Sequence, residues 1–318
     1  MNILITGVAG FIGSHLGEQL LTQPDVNVIG IDQGVANEPH KFRNIENLLQ
    51  QKRFQFYDLD LLSDDFLPLL NDIQVIYHLS GIPGVRSSWG DEFETYLLHN
   101  GLVTQKLLEA CRRFPIDKFI YISTSSVYGE KTGKVSEDMM PIPLSPYGIT
   151  KLTGEQLCRV YHHYFDVPAV VLRYFTVYGP RQRPDMAFHR FIKQLLLDEP
   201  LIVYGDGKQT RDFTYVKDCV KATASVATAE NVIGETINIG GKERASVLDV
   251  ITLLEQLLHK KAKITFVEKA KGEPIQTWAN ISKAEKLLNY EPTVTLKEGL
   301  KHEIDDLAKR YKREEGNS

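Results

Sequence analysis

A short strand, Asn2-Ile3-Leu4-Ile5-Thr6, runs into Gly7-Val8-Ala9-Gly10-Phe11-Ile12-Gly13, and a helical pattern through Leu16, Leu20 and Leu21 follows at once. Glycines so spaced between strand and helix constrain the fold more than any other stretch. Gly7 permits a tight turn, Gly10 lets backbone approach a pyrophosphate, and Gly13 lets the helix pack closely on the strand. The helix N-terminus, with Phe11 and Ile12 in its first turn, then offers free N–H groups and partial positive charge to phosphates. The next strand, residues 27–31, ends at Asp32, about twenty residues beyond the glycines, where a carboxylate binds ribose hydroxyls and repels a 2′-phosphate. That favours NAD as cofactor.

Further strands are expected at 54–57, 73–79, 118–123, 168–174 and 236–240, with helices between most of them and no hairpin turn chemistry. The pattern predicts an α/β protein with a Rossmann-type, doubly wound parallel sheet, whose ligands bind beyond the carboxyl ends of the strands. Gly7, Asp32, Ser80, Thr124 and Tyr174 all fall at such ends. Asp58 and Leu59 follow the third strand, where they can edge an adenine. Leu79, Ser80 and Gly81 lie where backbone would pass the cofactor ribose, while His78 alone reads as a strand-end histidine with its hydrogen bonds satisfied.

A second centre spans Ser123 to Lys151. Ser123-Thr124-Ser125-Ser126 closes a strand, and Tyr147-Gly148-Ile149-Thr150-Lys151 opens a helix whose N-cap and first position are Ser145 and Pro146. Tyr147 and Lys151 are thereby one turn apart on one face. A free tyrosine has a pKa of about 10, and a neighbouring ammonium favours the phenolate, so the pair reads as a general base and its activator. Tyr147 and Lys151 are therefore counted with the cofactor site as well.

At 318 residues and 42% apolar composition the chain is long enough for a full core and a second lobe. Its net charge of -4 leaves no basic footprint for nucleic acid. No apolar run reaches membrane-spanning length, and the N-terminus enters a strand, not a signal peptide. Cys111, Cys158 and Cys219 are widely spaced and read as buried packers in a reducing compartment. A cytoplasmic protein with no membrane partner and no metal is expected.

Residues 33–50 show no clear chemistry. Pro83-Gly84-Val85-Arg86 forms a loop at the sheet edge, with Arg86 placed for substrate or for a surface ion pair. A long amphipathic helix is expected over 91–113, with the polar Asn100 inside it. Residues 175–187 read as a functional loop, 201–207 as a small strand and turn, and 216–228, 246–258 and 296–308 as helices. A frayed charged tail follows from Lys309. The expected division is an NAD-binding domain over 1–175, rejoined by 214–240 and about 276–283. A smaller C-terminal substrate lobe then comprises 176–213, 241–275 and 284–318.

With these pieces placed, residues 1–310 resemble the extended short-chain dehydrogenase/reductase family, specifically its NAD-dependent nucleotide-sugar epimerases and dehydratases. The resemblance rests on the three glycines, Asp32, Thr124, Tyr147, Lys151, Tyr178-Gly179-Pro180-Arg181, Arg211-Asp212-Phe213 and Asn238-Ile239-Gly240-Gly241. Similar dehydratases carry an acid pair at Ser125 and Ser126, and similar UDP-glucuronate decarboxylases a glutamate at Ser126. Serines at both positions leave epimerisation, which needs no such proton donor. Arg183-Pro184-Asp185-Met186-Ala187 and the 83–89 stretch are similar to segments of UDP-glucuronate 4-epimerases, which makes these the nearest members. Thr176 departs from the asparagine of many relatives, in keeping with a changed sugar pocket.

The resemblance implies an isomerase that binds UDP-glucuronate, oxidises C4, lets the 4-keto sugar rotate and reduces it from the other face. Tyr147 would take the C4 hydroxyl proton, Thr124 would bond the same oxygen, and Lys151 would hold the nicotinamide ribose. Arg211 would bind the UDP pyrophosphate. Arg183 with Ser125, Ser126 and Thr176 would hold the sugar carboxylate, with Pro83, Arg86 and Met186 completing the substrate site. Alternatives are a UDP-glucose or UDP-N-acetylhexosamine 4-epimerase, a UDP-glucuronate decarboxylase, or a catalytically dead NAD-binding regulator. The helices at 91–113 and 146–164 are expected to form a homodimer contact.

Overall fold

The computed structural model describes residues 1–315; residues 316–318 of the expected tail lie outside the described residues. The first half alternates strand and helix: β1 (Asn2–Thr6), α1 (Phe11–Leu21), β2 (Asn27–Asp32), α2 (Pro39–Leu49), β3 (Phe54–Asp58), β4 (Val75–His78), α3 (Phe93–Leu97), α4 (Val103–Cys111), β5 (Lys118–Thr124), α5 (Pro146–Phe165) and β6 (Ala169–Tyr174). There follow β7 (Thr176–Tyr178), α6 (Ala187–Leu196), β8 (Leu201–Tyr204), β9 (Thr210–Tyr215), α7 (Val216–Ser225), β10 (Thr236–Ile239), β11 (Glu243–Ser246), α8 (Val247–Leu258), β12 (Ile264–Val267), α9 (Ser282–Leu288) and α10 (Leu296–Glu315).

Seven strands form one sheet in the order β10-β6-β5-β4-β1-β2-β3, every neighbour parallel. The order reverses between β1 and β4, which opens a crevice at their carboxyl ends, the switch point of a doubly wound sheet. The expected parallel sheet is therefore present. Its strands are nearly continuous apolar runs because helices cover both faces. One face packs Ile3, Ile5 and Tyr77 with α1 and α7, and the other packs Leu4, Ile76 and Tyr121 with α4 and α5. The first cluster continues without a break into Ile192, Leu201, Val250 and Leu300 of the C-terminal segments. Cys111, Cys158 and Cys219 are all free and buried.

Several local expectations are corrected. The 175–187 segment is not loop throughout: β7 pairs with β9, which itself pairs antiparallel with β11 in a small second sheet. Strand β8 pairs with β12 in a third. Strand β8 falls in the small strand expected over 201–207; the other four have three to six residues each, too short for alternation to announce them. The tail expected to fray from Lys309 continues α10 as far as Glu315. The helix expected over 91–113 carries a π-helical turn, Leu98–Leu102, between α3 and α4. No helix among the described residues is long and apolar enough to cross a membrane.

Candidate active site

A cleft of about 590 Å³ opens at the carboxyl ends of the sheet. One end is the glycine turn. Gly7 has φ +73, and a Cβ there would sit 2.8 Å from the Ser80 backbone nitrogen, so the crevice between β1 and β4 closes only over glycine. A Cβ on Gly13 would overlap the Gly7 carbonyl. Gly10 caps α1 without a side-chain bond, which leaves the first-turn N–H groups facing the cleft.

Asp32 stands at the end of β2 and accepts from the Ala9 N–H and the Gln33 N–H, each at 2.9 Å. Burial raises its pKa, against the pull of Lys41 and of those two N–H groups. Lys41, on α2, lies 3.4 Å from the Asp32 carboxylate and 2.9 Å from Glu38. This donor set fits a dinucleotide: a dipole and bare N–H groups for the diphosphate, and a fixed carboxylate for a ribose.

The cleft wall opposite is the loop after β4, and the π-helical turn fixes it. Asn100 accepts from the Ile82 N–H at 2.8 Å and donates to the Ile82 carbonyl and to Thr150 Oγ1, both at 3.0 Å. Gly81, at φ +154, passes so close that a Cβ would meet Asn100 Oδ1 at 2.6 Å. The amide thus ties the 81–84 loop to α5. His78 sits below it, fully buried between Thr6 Oγ1 (2.8 Å) and Thr104 Oγ1 (2.9 Å), and burial pushes its pKa down to about 3. It is a neutral core histidine, as its strand-end position implies.

Helix α5 starts as expected: Ser145 Oγ accepts from the Gly148 N–H at 3.1 Å, with Pro146 in the first turn. Tyr147 and Lys151 project from it into the cleft, facing Thr124 at the end of β5. Thr124 Oγ1 donates to Ser126 Oγ at 3.3 Å and accepts from the Ser126 N–H at 3.2 Å, and it shares the cleft with the Tyr147 phenol. Tyr96 meets the Tyr147 ring edge-on, with centroids 6.2 Å apart.

The electrostatics correct the sequence expectation. Burial raises the Tyr147 pKa, opposed by the neighbouring Thr124 hydroxyl and by the Arg183 charge, not by Lys151. Lys151 is itself depressed to about 8 by burial, although Glu155 one turn on favours its charge, and its ammonium lies 4.3 Å from the Tyr121 ring centroid. Glu155 is buried and bonded to Arg173 at 3.0 and 2.6 Å and to the Ser123 hydroxyl. A single carboxylate therefore joins the strand residue before Thr124 to the helix that carries Tyr147.

Of the residues expected at the site, Gly7, Gly10, Phe11, Ile12, Gly13, Asp32, Leu59, Leu79, Ser80, Gly81, Pro83, Thr124, Ser125, Ser126, Tyr147, Lys151, Tyr174, Thr176, Arg183 and Met186 all line this cleft. Three do not. Asp58 points outward and accepts from the Ala36 N–H at 3.3 Å; its neighbour Asp60 takes the cleft position. Arg86 and Arg211 meet instead on Glu273, at 2.7 and 3.4 Å, with Arg86 stacked 4.0 Å above Tyr204. Sequence reasoning missed Lys41, Asp60 and His99, whose helix and loop positions carry no local signature.

The motif residues outside the cleft build its frame. Asp212 accepts from the Gly241 N–H and the Ala279 N–H (2.9 Å for the latter), locking β9 to the turn after β10. Asn238 receives the Tyr128 hydroxyl at 2.7 Å and donates to the Val135 carbonyl. Arg181 pairs with Glu18 of α1 at 2.6 Å.

Comparison with known proteins follows the same outline. A family model, the NAD dependent epimerase/dehydratase family, matches residues 3–240. The UDP-glucuronic acid 4-epimerase from Bacillus cereus, solved in complex with UDP-glucuronic acid and NAD, superposes with a TM-score of 0.96 at 57% identity over 98% of this chain and 100% of that one. A Bacillus subtilis protein described as an uncharacterized UDP-glucose epimerase is 56% identical over 316 residues, 99% of this chain and 100% of its own. The UDP-glucuronate 4-epimerase of Thermodesulfobacterium geofontis is 39% identical over 311 residues, 95% and 94% of the two chains. The family match takes in the glycine turn, the tyrosine–lysine helix and the sheet through β10, and the chain accordingly belongs to the NAD-dependent epimerase/dehydratase family.

Proposed function

We propose that the chain is an NAD-dependent UDP-glucuronate 4-epimerase, interconverting UDP-glucuronate and UDP-galacturonate. One observation carries the reading. Around Tyr147 and Thr124 the cleft offers the guanidinium of Arg183 and the hydroxyls of Ser125, Ser126 and Thr176, while its carboxylates, Asp32 at the end of β2 and Asp60 just after β3, belong to the cofactor side. A site so built attracts an acidic sugar and holds no carboxylic acid to drive dehydration or to protonate a decarboxylated enolate. The B. cereus enzyme, solved with UDP-glucuronic acid and NAD, supports the same substrate and cofactor.

The glycine turn, the α1 N-terminus and Asp32 would hold NAD, with Leu79, Ser80, Gly81, Lys151 and Tyr174 around its nicotinamide half. When bound, NAD supplies a reversible hydride acceptor. Tyr147 would take the proton of the C4 hydroxyl as the sugar is oxidised and return it as the sugar is reduced, and Thr124 would bond the same oxygen. Because burial favours the protonated form of Tyr147, the base form draws on positive charge nearby, which Arg183 supplies. Arg183 and the serines fix the sugar carboxylate out of line with the ketone π system, which resists loss of carbon dioxide. Arg211 and Arg86, set apart with Glu273, would take the uridine diphosphate.

The division into an NAD-binding part (1–175, 214–240, 276–283) and a UDP-sugar part (176–213, 241–275, 284–318) belongs to the same proposal. So does a homodimer. Ile149, Val160 and Tyr164 form an exposed stripe on α5 (47–70% exposed) beside exposed Leu97 and Leu102 on the neighbouring helix; apolar faces of this kind pair with a second copy. Sedimentation of the wild type and of Val160→Glu checks it: dimer and monomer are expected, and a monomeric wild type overturns it. For the activity, UDP-glucuronate and UDP-glucose are offered separately and products followed by NMR. UDP-galacturonate from the first is expected; turnover of UDP-glucose alone refutes the proposal.

A further inference from the structure

Arg183 does not stand free in the cleft. Its Nε and Nη2 each donate at 2.9 Å to one oxygen of Asp185, a side-on, two-bond fork. The pair is built into a tight turn: the Met186 N–H donates to the Arg183 carbonyl at 3.1 Å, with Pro184 at the position such turns favour. Arg183 is thus first and Asp185 third in a four-residue turn, and the fork closes across its mouth. Asp185 is itself exposed, with 64% of its side chain in solvent, and does not line the cleft, whereas Arg183 and Met186 do.

A guanidinium has two edges that accept a carboxylate in parallel, Nε with Nη2 and Nη1 with Nη2. Asp185 occupies the first. Nη1 makes no hydrogen bond to any described residue, and the Arg183 charge is felt at Tyr147. An arginine side chain has several rotatable bonds, so an untethered one holds a ligand loosely. One tethered along its Nε edge presents the other in a single direction.

We propose that Asp185 is a positioning residue for substrate selection: it clamps the side-on edge of Arg183 so that the end-on edge faces a carboxylate on the sugar beside Tyr147. This deepens the proposed function and rests on Arg183 being the carboxylate contact. The clamp has a second consequence. It leaves the free edge of Arg183 aimed at one point, where an acidic sugar gains a two-bond contact and a neutral sugar gains none. Loosening the clamp lets the 4-keto acid align its carboxylate with the ketone. The C5–C6 bond then breaks, carbon dioxide leaves, and the enolate takes a proton from water at C5 to give a UDP-4-keto-pentose; the electron pair taken from C4 stays on the cofactor, so each pentose formed consumes one NAD, which the assay supplies in excess.

The test compares Asp185→Ala, Asp185→Glu and Arg183→Ala as NAD-loaded enzymes, scoring UDP-galacturonate against UDP-4-keto-pentose by NMR and KM for UDP-glucuronate. Asp185→Ala is expected to raise KM several-fold and to increase the pentose share at least threefold, with Asp185→Glu restoring most of the wild-type partition. A merely structural role would lower total turnover without moving the partition. A lower KM in Asp185→Ala overturns the clamp, because it would show Asp185 to be a competitor displaced by substrate. If Arg183→Ala leaves both KM and partition unchanged, the Arg183 assignment itself fails, whatever Asp185 does.

Discussion

In the proposed reaction Tyr147 and Lys151 carry the chemistry, and burial shapes both. Tyr147→Phe removes the phenolic oxygen that would exchange the C4 hydroxyl proton. Turnover should fall by at least three orders of magnitude while absorbance and mass spectrometry still detect bound NAD; substantial remaining activity would contradict its role. Lys151 gives a prediction of opposite sign for stability. Its folded pKa, about 8, lies below the value of a free lysine, so the unfolded chain holds the proton more tightly. Its contribution to stability therefore rises with pH from about 8 towards 10.5, and below 8 a constant penalty for burying the charge applies. Lys151→Met should raise the Tm at pH 7 while abolishing activity, and the gain should shrink as pH passes 8. A lower Tm at pH 7 would show that the Tyr121 and Glu155 contacts outweigh the burial cost.

At the scale of elements, the meeting of β5 with α5 sets the geometry, and Glu155 is its pin. Removing one member of a buried pair costs about 3–5 kcal/mol because the other charge stays buried without a partner. Glu155→Gln should lower stability by that order in urea titration, and a loss under 1 kcal/mol would deny the pin. Asn100→Ala should free the 81–84 loop and weaken NAD retention, measured as cofactor lost on gel filtration, with little change in fold by circular dichroism; full retention would refute it. These two elements also show what could be read from sequence. The N-cap Ser145, Pro146 and the Tyr147–Lys151 spacing are local, and α5 forms as they dictate. The π-helical turn is not local. An amphipathic pattern fixes the face of a helix but not an extra residue in one turn, and only the tertiary bonds of Asn100 reveal it.

Over the whole molecule, the repeated strand–helix alternation and the glycine turn were enough to specify the seven-stranded parallel sheet and its cleft. Strands β8 and β10 were legible among the C-terminal segments, but β7, β9 and β11 were not, because they are short segments stabilised by partners remote in sequence. Arg86 and Arg211 illustrate the limit on sites. Their residue types announce an anion contact, yet their joint seat on Glu273, 187 and 62 residues away respectively, follows only from the folded chain. Lys41 is a similar case, since its role beside Asp32 depends on how α2 packs.

The account as a whole requires that the hydrogen removed from the sugar return to the same carbon. UDP-glucuronate labelled with deuterium at C4 tests this directly, with the UDP-galacturonate formed analysed by NMR and mass spectrometry. Retention of the label at C4 of the product is predicted. Its replacement by solvent hydrogen, or a label recovered elsewhere in the sugar, would contradict the account.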